Sequence, residues 1–233
     1  MSLINEIQSK ADAIFGGQYS VIETTDLSKL DSITDNSSAI VTSATVFFIN
    51  LKNIPYIVKN DGKRNAAKTY TTYFEIVNCF ANETGGYLTK YDSKSFLLIY
   101  PSGSNDIDKH IENAYKLSFI LGKFLPKKIE QFNSISFSIG IDHGRILGVK
   151  IGDEKIWLGT CINKAAAISE LCIKPSYLGI SGFIYSELGD EMKTYTRHIL
   201  GIPKKENAWL RGSYQFENEH KHFYTSHYTI EVK

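Results

Sequence analysis

The sequence predicts an α+β domain with a βαββαβ core, in which an antiparallel-dominated sheet carries helices mainly on one face. Two observations predict this class. Short apolar runs rich in β-branched and aromatic residues, typical of strands, alternate with longer segments whose apolar residues recur at helical spacing. The order of elements is strand, helix, hairpin, helix, hairpin, helix, strand. The 233 residues are enough for one large domain with elaborations.

The first part of the chain, residues 1–43, predicts an N-terminal helix and a leader ahead of the main domain, residues 44–233. Residues 3–15 alternate polar and apolar positions at helical spacing, and two glycines follow them. Residues 18–43 are rich in Ser, Thr and Asp. We therefore expect a leader with little regular structure.

Within the main domain, helices are predicted from apolar residues at helical spacing and strands from short apolar runs. The predicted elements are, in order, a buried strand at 44–51, a short helix opening at 53–55, a helix at 64–83 ended by two glycines, a hairpin with strands at 87–91 and 95–100, a helix at 106–124, two short strands within 135–152 around a turn at 142–144, a helix at 160–172, a short strand at 177–181, a short helix at 181–188 and a final strand at 220–232.

Composition excludes several classes of function. The net charge is +1 and the lysines are scattered, which argues against a protein that holds nucleic acid. Cys79, Cys161 and Cys172 lack metal-ligand spacing and are expected to be small buried hydrophobes. The sequence shows no signal-peptide pattern and no apolar run near the ~18 residues of a membrane span. We expect a cytoplasmic protein that binds no membrane.

Five segments taken in order resemble a known family. They are ATVFFINL, GGYLTKYDSKSFLLIY, SFSIGIDHGRILGVKIG, WLGTCINKAAAISEL and the tail HFYTSHY. The set resembles class III nucleotidyl cyclases, and looks most like the bacterial pyrimidine cyclases of Pycsar antiphage systems. The likeness covers residues 21–232 and rests on the ordered set. It implies a class III cyclase-like fold and a dimer with two shared half-sites.

The resemblance also implies which residues carry the chemistry. Such cyclases hold two Mg²⁺ ions with two aspartates, while an Asn and an Arg from the second subunit support the ribose and the phosphate charge. The metal aspartates fall on Asn50 and Lys94, the Asn is kept as Asn163, and the Arg falls on Ala167. Lys90 stands where purine cyclases often place a base-reading residue. An amide brings no negative charge and an ammonium repels Mg²⁺, so we expect no metal here.

The predicted function is therefore a degenerate pyrimidine cyclase of an antiphage system, with little or no activity alone. It would bind a nucleoside triphosphate or cyclic nucleotide, or pair as a homodimer or as a heterodimer with a cyclase chain. Lys52, Lys90 and Lys94 would hold phosphate by point charge, with Asn163 as a further substrate contact and the one retained catalytic residue. One alternative is an active uridylate or cytidylate cyclase that uses Mg²⁺ or Mn²⁺ with atypical ligands such as Asp92. Another is a protein-interaction or decoy module on a cyclase fold.

Each candidate residue also has an ordinary structural interpretation. Lys94 suits a solvated hairpin tip, Asp92 a turn, and Asn50 a cap for the turn that follows it. Asn163 suits a helix start or a solvent-facing position. His143, in the predicted turn, is expected to be structural or exposed, because no nucleophile lies near it in sequence. The residue types alone leave both sets of interpretations open.

Overall fold

The computed structural model describes residues 2–33, 38–102, 104–125, 136–172, 177–199 and 202–226. Its helices are α1 (Leu3–Gly16), α2 (Ile54–Asp61), α3 (Lys63–Thr84), α4 (Ile107–Phe124), α5 (Thr160–Leu171), α6 (Gly182–Glu187) and α7 (Asp190–Lys193), with 3-10 segments at Leu27–Ser32 and Ser104–Asp106. Its strands are β1 (Ser20–Glu23), β2 (Ser38–Lys52), β3 (Tyr87–Lys90), β4 (Ser95–Pro101), β5 (Ser136–Ile151), β6 (Glu154–Leu158), β7 (Leu178–Ser181), β8 (Thr194–Ile199), β9 (Ile202–Asn207), β10 (Trp209–Phe216) and β11 (Glu219–Ser226).

One large sheet organises the described residues, with strand order β10-β11-β7-β5-β2-β4-β3. Strand β6 pairs antiparallel with β5, whereas β1 pairs parallel with β2 and β7 pairs parallel with β5. The remaining pairings in this sheet are antiparallel. The sheet is therefore mixed but antiparallel-dominated, which confirms the predicted fold class.

The central strand β2 separates two apolar layers because successive side chains point to opposite faces of a sheet. Phe47, Ile49 and Leu51 pack with helices α2, α3, α4 and α6 on one face. Val46 and Phe48 pack on the other face with α5 and the first 3-10 segment. Most helices thus lie on one face, as predicted, and the even-numbered residues of β2 face α5.

The segment 135–152 differs from its prediction. Two strands around a turn at 142–144 were expected, but the structure has one continuous strand, β5. Asp142 pairs with Val46 of β2, and its buried carboxylate accepts a 2.5 Å hydrogen bond from the Ser181 hydroxyl. Polar partners inside the fold thus hold this polar stretch in the sheet. The turn comes later, before β6, where Gly152 has a φ of +60°.

The predicted leader is also more regular than expected. Residues 18–43 contain β1, a 3-10 segment and the start of β2. Leu27, Leu30 and Ile33 from this stretch are buried in the layer beneath α5. The expectation of little regular structure was wrong because these three apolar residues are enough to anchor a polar segment. Strand β2 runs across residue 43, where the domain boundary was predicted. The boundary itself stays a prediction.

The end of the chain was only partly predicted. Strand β11 matches the start of the predicted final strand, and residues beyond 226 lie outside the described part of the chain. The β8–β9 hairpin and strand β10 were not predicted. In the described residues, no helix combines the length and apolar character that crossing a membrane demands.

Candidate functional site

Three fully buried polar residues lie side by side across the central strands. Asn50 on β2 is paired in register with Ser95 on β4 and with Ser138 on β5. The alternation of β2 turns Asn50 toward α5. Buried polar groups normally need hydrogen-bond partners, so we expect these three side chains to bond with α5 or with one another.

Asn50 finds its main partner on helix α5. Its amide Nδ2 donates a 2.6 Å hydrogen bond to Oε1 of Glu170, and its Oδ1 accepts a 3.4 Å bond from the Ser95 hydroxyl. The Ser138 hydroxyl has no partner among the described residues. The amide orientation follows from Glu170, because the flipped amide would set two acceptor oxygens against each other.

Lys94 reaches the same carboxylate from the tip of the β3–β4 hairpin. Its Nζ lies 3.5 Å from Glu170 Oε1, and the two side chains are 45% and 58% exposed. The Lys94 backbone N–H donates a 2.7 Å bond to Asp92 Oδ1. Asp92 is therefore a turn residue here. We call Asn50, Lys94 and Glu170 the carboxylate cluster.

Lys52 lies two residues further along β2 and binds backbone rather than side chains. Its ammonium donates to the carbonyls of Ser169, Glu170 and Cys172 at 3.0, 3.3 and 2.7 Å. These carbonyls end α5, where unpaired acceptors and the negative end of the helix dipole favour a cation. Burial lowers the pKa of Lys52, and the charge of Glu170 opposes that shift. The structure gives Lys52 a capping role.

A glycine lets α5 come close enough to form these contacts. A Cβ at Gly140 of β5 would lie 2.0 Å from the Ala165 carbonyl oxygen and 2.5 Å from the Ser169 amide nitrogen. Any larger residue would push the helix backbone off the sheet. Gly140 therefore sets the distance between α5 and the sheet, which brings Glu170 within hydrogen-bond reach of Asn50.

Comparison with known proteins gives one relative in sequence and several in structure. No family model matches the sequence. A uridylate cyclase from Burkholderia cepacia is 23% identical over 203 residues, covering 83% of this chain and 87% of that protein. This chain is thus similar to a uridylate cyclase over most of its length.

Solved structures show the same fold. A class III adenylyl cyclase-like ATP-binding protein from Pseudomonas aeruginosa matches with a TM-score of 0.68 and 15% identity, over 79% of this chain and 42% of that one. The guanylyl cyclase Cya2 matches with a TM-score of 0.64 and 12% identity, over 80% of this chain and 92% of that one. The predicted resemblance is confirmed, including the sequence similarity to a pyrimidine cyclase.

The carboxylate cluster does not fit magnesium. Magnesium is held by oxygen ligands, usually carboxylates. Asn50 directs its NH₂ group, and Lys94 its ammonium, at Glu170. Both donate to the same carboxylate oxygen, Oε1. Nor do the described residues hold a group of three or more His, Cys, Asp or Glu side chains arranged for a metal.

The two positions implied for catalysis in the partner's half-site lie on α5. Asn163 is exposed near its start, and Ala167 is half-buried one turn later. Glu170 follows three residues after Ala167, so the three share one stripe of the helix. Sequence reasoning missed Glu170, although its seven-residue spacing from Asn163 was the signal that placed it on this stripe.

Lys90 lies apart from the lysines at positions 52 and 94. It lines a separate cavity of about 550 Å³ between the β3–β4 tip and the β5–β6 hairpin. The same cavity is lined by Asp92, Lys155 and Trp157. Trp157 is 5% exposed, and its indole N–H has no partner in the described chain. The indole nitrogen is itself buried, so this donor does not open onto the cavity.

Proposed function

We propose that this chain is a degenerate pyrimidine cyclase that binds a nucleotide, or pairs with another cyclase chain, and has little or no cyclase activity alone. One observation carries the proposal. The two residues at the implied metal-aspartate positions, Asn50 and Lys94, both act as hydrogen-bond donors to Glu170. The cluster is thus built to receive an anion, where a cyclase needs to receive a cation.

The chemistry explains why activity would be low. Cyclisation requires the 3′-hydroxyl of a nucleoside triphosphate to attack its own α-phosphorus and expel pyrophosphate, which depends on positioning and charge neutralisation. Metal ions supply several kcal/mol of that neutralisation. Ala167 removes the implied arginine, and loss of one such donor typically costs about 3 kcal/mol more. Either loss slows turnover by orders of magnitude.

Nucleotide binding needs neither the metal ions nor the implied arginine. The Lys94 ammonium and the Asn50 amide can both donate to phosphate oxygens. The cavity beside Lys90 has a volume of about 550 Å³, within the range of small-ligand sites, and Trp157 and Lys155 line it. A cyclase-like protein described as ATP-binding shares this fold, which supports nucleotide binding as a function of the scaffold.

The setting of the proposal follows from the family. The resemblance implies a dimer, in which Asn163 would serve the partner's half-site, and a fungal guanylyl cyclase domain of this fold is described as dimeric. A homodimer would have two such sites, whereas a heterodimer would join this chain to an active cyclase. We place the protein in the cytoplasm, with its nucleotides, and in antiphage signalling by likeness to pyrimidine cyclases.

Calorimetry on the purified chain tests the proposal. We expect UTP, CTP or a cyclic pyrimidine nucleotide to bind with Mg²⁺ removed by EDTA, and no cyclic product to form with Mn²⁺. Lys94→Ala should weaken binding, while Lys116→Ala, which breaks an exposed ion pair with Glu112 on α4, should not. Product formation at ordinary enzyme rates, or binding that strictly requires Mg²⁺, contradicts the proposal. Failure to bind any nucleotide favours the protein-interaction module instead.

A further inference from the structure

The Glu170 carboxylate occupies the donors that the proposed function assigns to phosphate. Its Oε1 accepts from Asn50 at 2.6 Å and lies 3.5 Å from the Lys94 ammonium. We propose that Glu170 is an internal stand-in for phosphate, which closes the anion-binding position and has to swing out when a nucleotide binds. This inference rests on the proposed function and adds a regulatory contact to the same site.

A carboxylate and a phosphate present the same chemistry to these donors. Both offer anionic oxygens to N–H groups, and charge-assisted hydrogen bonds to either are stronger than neutral ones. With Glu170 in place, the carboxylate cluster has no net charge, since one lysine balances one glutamate. An incoming phosphate therefore meets a negative charge at donors that already bind a carboxylate.

The exposure of the pair allows this displacement. The Glu170 side chain is 58% exposed and the Lys94 side chain 45%, so the carboxylate has open solvent into which to rotate. Ion pairs at such exposure contribute little to stability. Opening the ion pair is thus a small step, and the loss of the Asn50 bond is offset because phosphate takes over the same donor.

The helix itself does not have to move. Lys52 holds the end of α5 through the carbonyls of Ser169, Glu170 and Cys172, contacts that do not involve the Glu170 side chain. Gly140 keeps the helix backbone against β5. The fold therefore fixes the backbone and leaves one carboxylate as the moving part.

Neutralising that carboxylate tests the inference. Glu170→Gln keeps the shape and an acceptor for Asn50 but removes the charge, so we expect UTP and inorganic tripolyphosphate to bind about fivefold more tightly in EDTA. Glu112→Gln removes the same charge from an exposed ion pair on α4 and should leave both affinities unchanged. The gain in E170Q should shrink in 0.5 M salt, because screening weakens the repulsion that the variant removes.

The outcomes separate the two proposals. Wild-type binding that E170Q leaves unchanged or weakens overturns the phosphate stand-in while the nucleotide-binding function stands. Absence of binding in every variant, with circular dichroism and thermal melting showing folded protein, overturns the proposed function and this inference together. An equal gain in E112Q would mean that net charge alone acts, which also overturns the stand-in.

Discussion

Asn50 on the central strand and Glu170 at the end of α5 are joined by a 2.6 Å hydrogen bond between Nδ2 and Oε1, across 120 residues of sequence. The resemblance implies a metal-binding aspartate at position 50, and the bond shows an amide donor there. Lys94 adds a second donor to the same oxygen. The chain shares the cyclase fold, and on the proposed assignment its metal position carries hydrogen-bond donors in place of carboxylates.

Placing aspartate at both implied metal positions should create a metal site. In N50D/K94D the cluster would contain three carboxylates, including Glu170, and no ammonium, which is a ligand set suited to Mg²⁺ or Mn²⁺. We expect millimolar Mn²⁺ to raise the melting temperature of N50D/K94D by about 5 °C and to leave the wild type unchanged. Differential scanning fluorimetry measures this shift.

Two single variants serve as controls for that experiment. N50D alone sets a carboxylate against Glu170 with Lys94 still present, and K94D alone keeps the Asn50 donor. Each should respond to Mn²⁺ less than the double variant. An unchanged melting temperature in N50D/K94D would contradict the assignment of the metal positions. Cyclase activity should remain low even with metal, because Ala167 is unchanged.

The row of buried hydroxyls next to Asn50 predicts opposite effects of two similar changes. Ser138→Ala removes a buried hydroxyl that has no partner in the described structure, so the free energy of unfolding should rise by about 1 kcal/mol. Ser95→Ala removes a donor to Asn50 Oδ1 and should lower it by about 1 kcal/mol. Urea unfolding of the two variants measures the contrast. Equal losses in both would show that Ser138 has a partner in solution.

The sequence predicted local structure well because periodicity and turn chemistry act over short distances. Helices α3, α4 and α5 and the β3–β4 hairpin lie where the pattern placed them. Asn50 and Lys94, chosen through the family resemblance, do meet in the structure at one oxygen. The sequence pattern did not identify Glu170 as the group to which both side chains bind.

The missed features depend on long-range packing. Glu170 matters only because Gly140 lets α5 approach the sheet, and Lys52 caps that helix from 117 to 120 residues away. Asp142 and His143 looked like a turn because polar residues before a glycine usually form one. In the structure, Ser181 binds Asp142 and Thr45 binds His143 within the sheet. A local sequence pattern does not reveal such distant partners.

Gly140 should be intolerant of even one added methyl group. Gly140→Ala would drive a Cβ into the backbone of α5, so we expect a loss of at least ~3 kcal/mol in the free energy of unfolding, or failure to fold. Gly122→Ala is the matched control. Gly122 is exposed in α4 with no atom within 4 Å of an added Cβ, and alanine there should gain about 0.5–1 kcal/mol. Chemical denaturation checks both, and a mild effect of G140A would mean that α5 sits further from the sheet.

A buried histidine, His110, and its half-buried neighbour His143 predict how stability depends on pH. His110 Nδ1 lies 3.0 Å from Thr45 Oγ1, and the same oxygen lies 3.1 Å from His143 Nδ1. The His110 ring stacks on Tyr100 with centroids 4.8 Å apart. Burial lowers the pKa of His110 from 6.5 to about 4, with Asp106 opposing and Lys109 and His143 adding to the shift. Burial also lowers the pKa of His143.

The sign of the pH effect follows from these pKa directions. Between about 6.5 and about 4 the unfolded chain binds a proton at position 110 that the folded chain does not, so the free energy of unfolding falls as the pH drops through this window. Below about 4 both states are protonated and the contribution levels off. His110→Gln should flatten the wild-type curve between pH 6.5 and 4. Urea titrations at a series of pH values, compared as differences from wild type, isolate this term from the carboxylates. A slope that H110Q does not alter would place the His110 pKa near its unfolded value and contradict its burial beside Tyr100.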